Sequence, residues 1–398
     1  AIKNAFQNFM PLTIAGAIGV LWCNVLVNDQ TGLGLFFKPI MALDFLNPAF
    51  QAVNFCTISC ITVGITLGIA QEIGVWNMGA ERAGYIPGLV GLAAWLSVTN
   101  TSHMVEGAKE AFTGIAGNEL GATGLFTGMI IGVLSVELFC FFEKQDALKI
   151  KMPEQVPPGV ARAFEVLVPA TITLIITACI GSACYNLTGL YLNDVIKNGI
   201  QGPLGAVGAT IPGVMIIYLV IMLFWLVGIH GNNMLSAVKE ALFTPLALEN
   251  VEKFNKGEKP TNIINMYFLQ MCGEFGGSGV TIGLVIAIMI FGKREDNKAI
   301  ATLSLVPGLF NINETVTFGV PMVLNPILGI PFVVAPLITI IIGYVLTVIG
   351  FCPVACLTVP WTTPPIVFGF LACGANVMGA VTQAILIVVS TVIYVPVS

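Results

Sequence analysis

Apolar runs approaching 20 residues recur along this chain and set the strongest limit on its fold. They lie at about 10–27, 52–70, 84–98, 121–142, 164–186, 211–229 and 376–396. A helix needs about 20 predominantly apolar residues to cross a bilayer, whereas barrel strands alternate over about ten. Charged residues make up 9% of the chain, against about 25% in soluble domains. We therefore predict an all-α, polytopic membrane protein.

The second half of the chain is interrupted by helix breakers. The motif GEFGGSG breaks the stretch 264–292, and five prolines break the stretch 301–351. Non-helical backbone at membrane depth survives where it is buried in protein or lines a watery cavity. We predict about ten transmembrane helices, with a re-entrant hairpin at 264–292 and further broken segments around Glu314. Such broken segments are typical of a substrate site.

The distribution of basic residues predicts the orientation of the chain and a division into two domains. Cytoplasmic loops are rich in Lys and Arg, which places the loop 143–163 in the cytoplasm, together with Lys239, Lys253, Lys256 and Lys259. We interpret 143–163 as an amphipathic surface segment on the anionic inner leaflet. It would also mark the boundary between two halves of the chain, residues 1–163 and 164–398.

Other classes of site lack a signal in the sequence. The ten cysteines lie mostly in apolar runs, and no Cys-x-x-Cys pair or Cys/His cluster of zinc spacing occurs. We interpret the cysteines as packing residues and predict no metal site. The sequence also has no basic run suited to nucleic acid.

Three ionisable residues lie in the apolar second half of the chain, each at a break in a helical pattern. Glu314 is the only Asp, Glu, Lys, Arg or His from residue 299 to the end. His230 is the only residue of these five types between Lys197 and Lys239. Glu274 is the only one between Lys259 and Lys293. Ionisable residues at membrane depth are costly and usually functional, so we predict that these three share one cavity.

The neighbours of these residues favour a neutral, polyhydroxylated ligand. Asn232 and Asn233 follow His230, while Asn311 and Asn313 precede Glu314. Amides offer both donors and acceptors, as sugar hydroxyls require. The predicted sugar-binding set is Gly231, Asn232, Glu274, Ser278, Asn313 and, as flat apolar faces, Trp225 and Trp361.

Each assignment has a structural alternative. His230 could bridge two helices, and Glu314 could be a hydrogen-bonded structural carboxylate. Glu274 could cap a hairpin by accepting backbone N–H bonds. The tryptophans could be anchors at the membrane interface.

A set of ordered motifs resembles the enzyme IIC sugar permeases of the phosphotransferase system. The motifs are GIHGNN, NINETVTFGVPMVLNP, LTIAGAIGVL, LGATGLFTGMIIG, GGSGVTIGL and VPWTTPP. They are most similar to the lactose/cellobiose/chitobiose branch, and within it to the N,N'-diacetylchitobiose type. The chain departs from that pattern at Thr315, where the family often has proline.

The resemblance implies a function and its partners. A β-linked disaccharide of the diacetylchitobiose or cellobiose class would cross the inner membrane of a bacterium. Its C6 hydroxyl would be phosphorylated by the phosphocysteine of a separate cytoplasmic IIB protein, itself supplied by IIA. Glu314 would bind that hydroxyl and either take its proton or only orient it. His230 would hold a neighbouring hydroxyl or, if protonated, meet the incoming negative charge. The chain would carry no phosphoryl group and no bound cofactor. Residues 1–163 would form an N-terminal transmembrane scaffold that makes a homodimer. Residues 164–398 would form a C-terminal sugar-binding domain with two re-entrant hairpins, the second around Glu314.

Two other functions remain compatible with the residues themselves. A proton- or sodium-coupled secondary sugar transporter would use Glu314 and His230 as a proton relay. A membrane receptor or channel subunit would show no concentrative uptake.

Overall fold

The structure, a computed structural model, describes residues 1–29, 33–35, 37–103, 112–153, 155–320, 322 and 324–398, with backbone alone at 35, 118, 204 and 206. Helices dominate the described part of the chain, which confirms the predicted all-α class. The α-helices, in chain order, are α1 (Ile2–Leu21), α2 (Asn47–Asn54), α3 (Ile61–Met78), α4 (Ala80–Ala83), α5 (Ile86–Val98), α6 (Gly117–Leu120), α7 (Ala122–Glu143), α8 (Pro158–Thr188), α9 (Leu192–Ile196), α10 (Gly202–Gly208), α11 (Ile211–Leu226), α12 (Gly231–Met234), α13 (Ser236–Asn255), α14 (Met266–Gly273), α15 (Ile282–Phe291), α16 (Glu295–Leu309), α17 (Glu314–Gly319), α18 (Pro326–Val348), α19 (Val367–Ala372) and α20 (Val377–Tyr394).

Other secondary structure is short. The 3-10 helices are Leu33–Leu35, Lys38–Leu46, Asp146–Leu148 and Val395–Val397, and the π-helical segments are Trp22–Leu26, Phe55–Ser59 and Lys197–Gln201. Strands β1 (Ser102–His103) and β2 (Phe112–Thr113) pair antiparallel, with Ser102 opposite Thr113.

Polar side chains begin several helices within apolar surroundings. The side chain of Asn325 accepts hydrogen bonds from the N–H groups of Ile327 at 3.0 Å and Leu328 at 3.3 Å, at the start of α18. Asn265 caps α14 in the same way. The first N–H groups of a helix have no partner inside the helix, so these caps allow a helix to begin away from water.

The chain forms two compact units. Unit 1 comprises Ala1–Thr13 and Phe55–Pro203, and unit 2 comprises Ile14–Asn54 and Leu204–Ser398. In unit 1, helices α3, α5 and α7 pack on one another, and α8 packs on α5 and α7. In unit 2, α20 packs against α15, α18 and α19. The predicted domain boundary after residue 163 falls inside α8 and unit 1, and the predicted division of roles between the domains stays a prediction.

Several segments are long and apolar enough to cross a membrane. By length and composition, the described residues contain five, or six if the bent pair Lys38–Ser59 and Ile61–Met78 forms one span. The five are Ile2–Leu26, Ala122–Glu143, Pro158–Thr188, Pro326–Val348 and Val377–Val397. This confirms a polytopic membrane protein, while the count of about ten crossings stays a prediction.

The structure contains the breaks that the sequence predicts in the second half. Residues 274–281 separate α14 from α15, and each of these helices is shorter than the roughly 20 residues needed to cross a bilayer. Residues 310–313 separate α16 from α17, which begins at Glu314. Glu274, Ser278 and Asn313 therefore lie on irregular backbone, and Glu314 begins the short helix that follows it.

The predicted amphipathic segment 143–163 runs from the last residue of α7 into the first turns of α8. Between α7 and α8 the described residues form the single 3-10 turn Asp146–Leu148. Arg162, in the second turn of α8, donates to Glu143 at 3.0 Å and to Glu165 at 2.9 Å. Its charge is therefore paired with protein carboxylates.

Candidate functional site

His230 and Glu314 meet at two helix breaks within unit 2. His230 is the N-cap of α12, where its Nδ1 accepts a hydrogen bond from the Asn233 N–H at 3.2 Å. Its Nε2 lies 3.9 Å from Glu314 Oε1. The side chains are 37% and 49% exposed, respectively, so both can be reached by a ligand. The structure thus brings together the two residues predicted to carry the chemistry.

The ring of Trp225 packs against the ring of His230. Its ring centroid lies 4.4 Å from that of His230, with the planes at 47°. Phe332 approaches Trp225 edge-on, at 6.4 Å between centroids. Trp225 is buried, and its Nε1 has no hydrogen-bond partner among the described residues. Trp361, the other predicted aromatic face, is 44% exposed.

The predicted amides bind protein groups. Asn232 Nδ2 donates to Ser278 Oγ at 2.9 Å, and Asn313 Nδ2 donates to the Ser278 carbonyl at 2.7 Å. Ser278 and Asn313 are buried. The Oδ1 atom of Asn232 is also buried and has no hydrogen-bond partner in the described structure. An unpartnered buried acceptor is uncommon in proteins.

Gly231 has a packing reason for lacking a side chain. A Cβ built on it would lie 2.0 Å from the carbonyl oxygen of Ile221 on α11. Because no side chain fits there, glycine lets α12 approach α11 closely and sets the position of the adjacent His230. This packing accounts for the glycine by itself, and a contact between Gly231 and sugar stays a prediction.

Glu274 is held by an ion pair. Its carboxylate is bound by the Lys239 ammonium of α13 and by the Tyr218 hydroxyl of α11, the latter at 2.8 Å. The Lys239 and Glu274 side chains are 7% and 18% exposed, respectively. This arrangement gives Glu274 a structural role, and its sugar contact stays a prediction.

Sequence reasoning missed Lys239 and Tyr218. The positive-inside rule counted Lys239 as a residue of a cytoplasmic loop, but it is buried in α13. Its sequence context, SAVKEALF, gives no sign of a buried partner. The signal that was available is Glu274, because an acid at membrane depth usually has a paired charge.

The site therefore has an exposed layer and a buried layer. His230, Glu314 and Trp361 carry the exposed side chains of the predicted set, and Asn313, Ser278, Trp225 and Gly231 lie buried. A carboxylate and an imidazole at this spacing can share one hydroxyl group, because 3.9 Å is less than two hydrogen-bond lengths of about 2.8 Å each. The arrangement can bind a hydroxyl and accept its proton.

Comparisons with known proteins agree with this architecture. The sequence model of the family described as "Phosphotransferase system, EIIC" matches residues 3–336. The "PTS system oligo-beta-mannoside-specific EIIC component" of Bacillus subtilis (strain 168) is 33% identical over 99% of this chain and 87% of its own length. The "PTS system cellobiose-specific EIIC component" of Lactococcus lactis subsp. lactis (strain IL1403) is 34% identical over 100% of this chain and 92% of its own.

A solved structure matches as well. The crystal structure of ChbC, the IIC component of the N,N'-diacetylchitobiose-specific phosphotransferase system, superimposes with a TM-score of 0.90 at 30% identity. The match covers 99% of this chain and 91% of ChbC. Family, relatives and fold agree over nearly the whole sequence, and the chain belongs to the phosphotransferase system EIIC family of sugar permeases.

Proposed function

We propose that this permease carries a β-linked disaccharide across the bacterial inner membrane and presents its C6 hydroxyl to a phosphorylated IIB protein. The observation that carries the proposal is the approach of His230 Nε2 to Glu314 Oε1, 3.9 Å apart on an accessible surface. These are the residues to which the family resemblance assigns the chemistry. A homodimer, and IIA as the source of phosphate for IIB, belong to the same proposal.

In this mechanism Glu314 acts on the attacking hydroxyl. Its carboxylate accepts a hydrogen bond from the C6 hydroxyl and takes the proton as the oxygen attacks phosphorus. The new O–P bond replaces the S–P bond of the IIB phosphocysteine, and the thiolate leaves. Phosphoryl transfer depends mainly on positioning and charge stabilisation, so a small constellation is enough.

His230 fixes the orientation of the sugar. The Asn233 N–H donates to its Nδ1, so the neutral ring carries its proton on Nε2, the nitrogen that faces Glu314. A hydroxyl lying between the two side chains can accept from Nε2 and donate to the carboxylate. This arrangement binds one hydroxyl in one direction.

The substrate class follows from the relatives and the residue types. The similar proteins are named for an oligo-β-mannoside, for cellobiose and for N,N'-diacetylchitobiose. From residue 299 to the end, Glu314 is the only charged side chain, and the exposed Trp361 offers a flat apolar face. These features suit a neutral sugar. Calorimetry of the purified protein with cellobiose, diacetylchitobiose and lactose would select among β-linked disaccharides.

Replacing the acid tests the proposed reaction. Purified Glu314→Gln protein should bind disaccharide but should not support its phosphorylation by phospho-IIB, because glutamine cannot accept the proton. His230→Ala should weaken sugar binding in calorimetry. Normal phosphorylation by Glu314→Gln would refute the base assignment. Uptake into proteoliposomes driven by a proton or sodium gradient, without IIB, would contradict the proposal as a whole.

A further inference from the structure

The irregular segment between α14 and α15, residues 274–281, contacts the residues next to His230 and Glu314; we call it the glycine loop. Its carbonyl groups are bound by side chains: Gly276 O by Thr281, Ser278 O by Asn313, Gly279 O by Tyr394 and Val280 O by Ser390, at 2.7 to 2.8 Å. Irregular backbone inside a membrane protein needs such partners. They hold the glycine loop in one conformation.

Ser278, near the middle of the glycine loop, contacts both functional motifs. Its Oγ accepts from Asn232, two residues after His230. Its carbonyl oxygen accepts from Asn313, which immediately precedes Glu314. One residue thus joins two motifs that lie about 80 residues apart in the sequence.

The neighbouring Gly277 makes this connection tight. Gly277 has φ +91°, and a Cβ built on it would lie 2.6 Å from Asn313 Cβ. The loop therefore packs directly against the side chain of Asn313, the residue that precedes Glu314. A shift of the loop would be transmitted to the carboxylate.

We infer that Ser278 is a positioning residue for phosphoryl transfer, which sets the separation of His230 and Glu314 without touching the sugar. Ser278 is 4% exposed; its hydroxyl oxygen accepts from Asn232 and its carbonyl oxygen from Asn313. Displacing a catalytic group by about 1 Å can lower a rate about 100-fold. The inference rests on the proposed function of the two exposed residues.

The test compares Ser278→Ala with a matched serine elsewhere. Phosphorylation of a saturating disaccharide by phospho-IIB is measured in proteoliposomes, with sugar affinity from calorimetry and folding from thermal unfolding. Ser278→Ala should lower kcat about 10- to 100-fold and change sugar affinity much less. The control is Ser135→Ala, since Ser135 is also buried but bonds the carbonyl of Ile131 in its own helix α7. It should keep the wild-type kcat.

A second comparison separates positioning from loss of stability. If Ser278 acts through the pair, Ser278→Ala should lower kcat less in a His230→Ala background than in the wild type. An equal loss in both backgrounds overturns the inference. If Ser278→Ala protein aggregates, Ser278→Cys fills nearly the same space with a weaker acceptor and should show the same order of effects.

The remaining outcomes are also decisive. Wild-type protein that transfers no phosphate refutes the proposed function and this inference with it. Normal transfer by the wild type together with full-rate, folded Ser278→Ala overturns the inference alone.

Discussion

Replacing Lys239 by methionine removes the ammonium that faces the Glu274 carboxylate. Both side chains are largely buried, at 7% and 18% exposure, so water screens the lost attraction weakly. Removing one partner of a buried ion pair costs about 3–5 kcal/mol, because the other charge stays buried without compensation. The Tyr218 hydroxyl still donates to Glu274 at 2.8 Å. We therefore expect a loss near the lower end, about 3 kcal/mol, or roughly 100-fold in the unfolding equilibrium.

The double variant Lys239→Met/Glu274→Gln should recover most of this loss. Replacing both charges of a buried pair by uncharged groups is often close to neutral, so we expect the double variant within about 1 kcal/mol of wild type. Denaturant unfolding in detergent micelles, followed by tryptophan fluorescence, measures all four members of the cycle. Lys256→Met is the matched control, since Lys256 is exposed at the end of the same helix, and it should change stability by less than about 0.5 kcal/mol.

The coupling between the two positions decides this prediction. If Lys239→Met and the double variant are equally stable, the Glu274 carboxylate costs nothing when its partner is removed. The argument that Lys239 compensates the buried charge of Glu274 would then fail.

Two further substitutions test other close contacts. Gly231→Ala would place a Cβ 2.0 Å from the Ile221 carbonyl oxygen. It should therefore destabilise the fold by about 1–3 kcal/mol and weaken sugar binding in calorimetry. Unchanged stability would refute the close contact between α12 and α11. Glu143→Gln should lower the unfolding free energy by about 1–3 kcal/mol, because Arg82 and Arg162 both donate to the buried Glu143 carboxylate. Denaturant unfolding would detect this loss, and no change would show that Glu165 alone satisfies both guanidinium groups.

The long uniform runs were predicted closely because composition alone defines them. The predicted runs 121–142 and 376–396 correspond to α7 and α20, which lie at Ala122–Glu143 and Val377–Tyr394. In such segments hydropathy changes sharply at both ends. Tertiary structure adds little to these boundaries.

The run 52–70 was predicted with the wrong bounds. A π-helical segment, Phe55–Ser59, precedes α3, which continues to Met78. The prediction stopped before Glu72, an acid that hydropathy places outside a span. Asn4 Nδ2 donates to the Glu72 carboxylate at 2.8 Å and Asn8 Nδ2 at 3.3 Å. These partners come from α1, so they were invisible in the local sequence.

The candidate site was likewise only partly predictable from the sequence. The rarity of charge in the second half of the chain pointed to His230 and Glu314, and they lie 3.9 Å apart. The sequence could not show which polar residues face outward, because an amide has the same composition whether it binds a ligand or a backbone. Asn313 and Ser278 are buried against each other, which only the tertiary structure reveals.

Asn311, three residues before Glu314, has a structural reason to be asparagine. It has φ +64°, a left-handed conformation that Asn adopts more readily than most residues. Its Oδ1 accepts from the Gly276 N–H at 2.6 Å, and its Nδ2 donates to the carbonyls of Trp361 and Thr363. Glycine would fit the backbone but would lose all three bonds. Asn311 therefore joins the glycine loop to the segment of the exposed Trp361, next to the motif that carries Glu314. The helix breakers and amides that looked like a sugar-binding set in the sequence are, at this position, the internal connections that hold the exposed residues of the site in place.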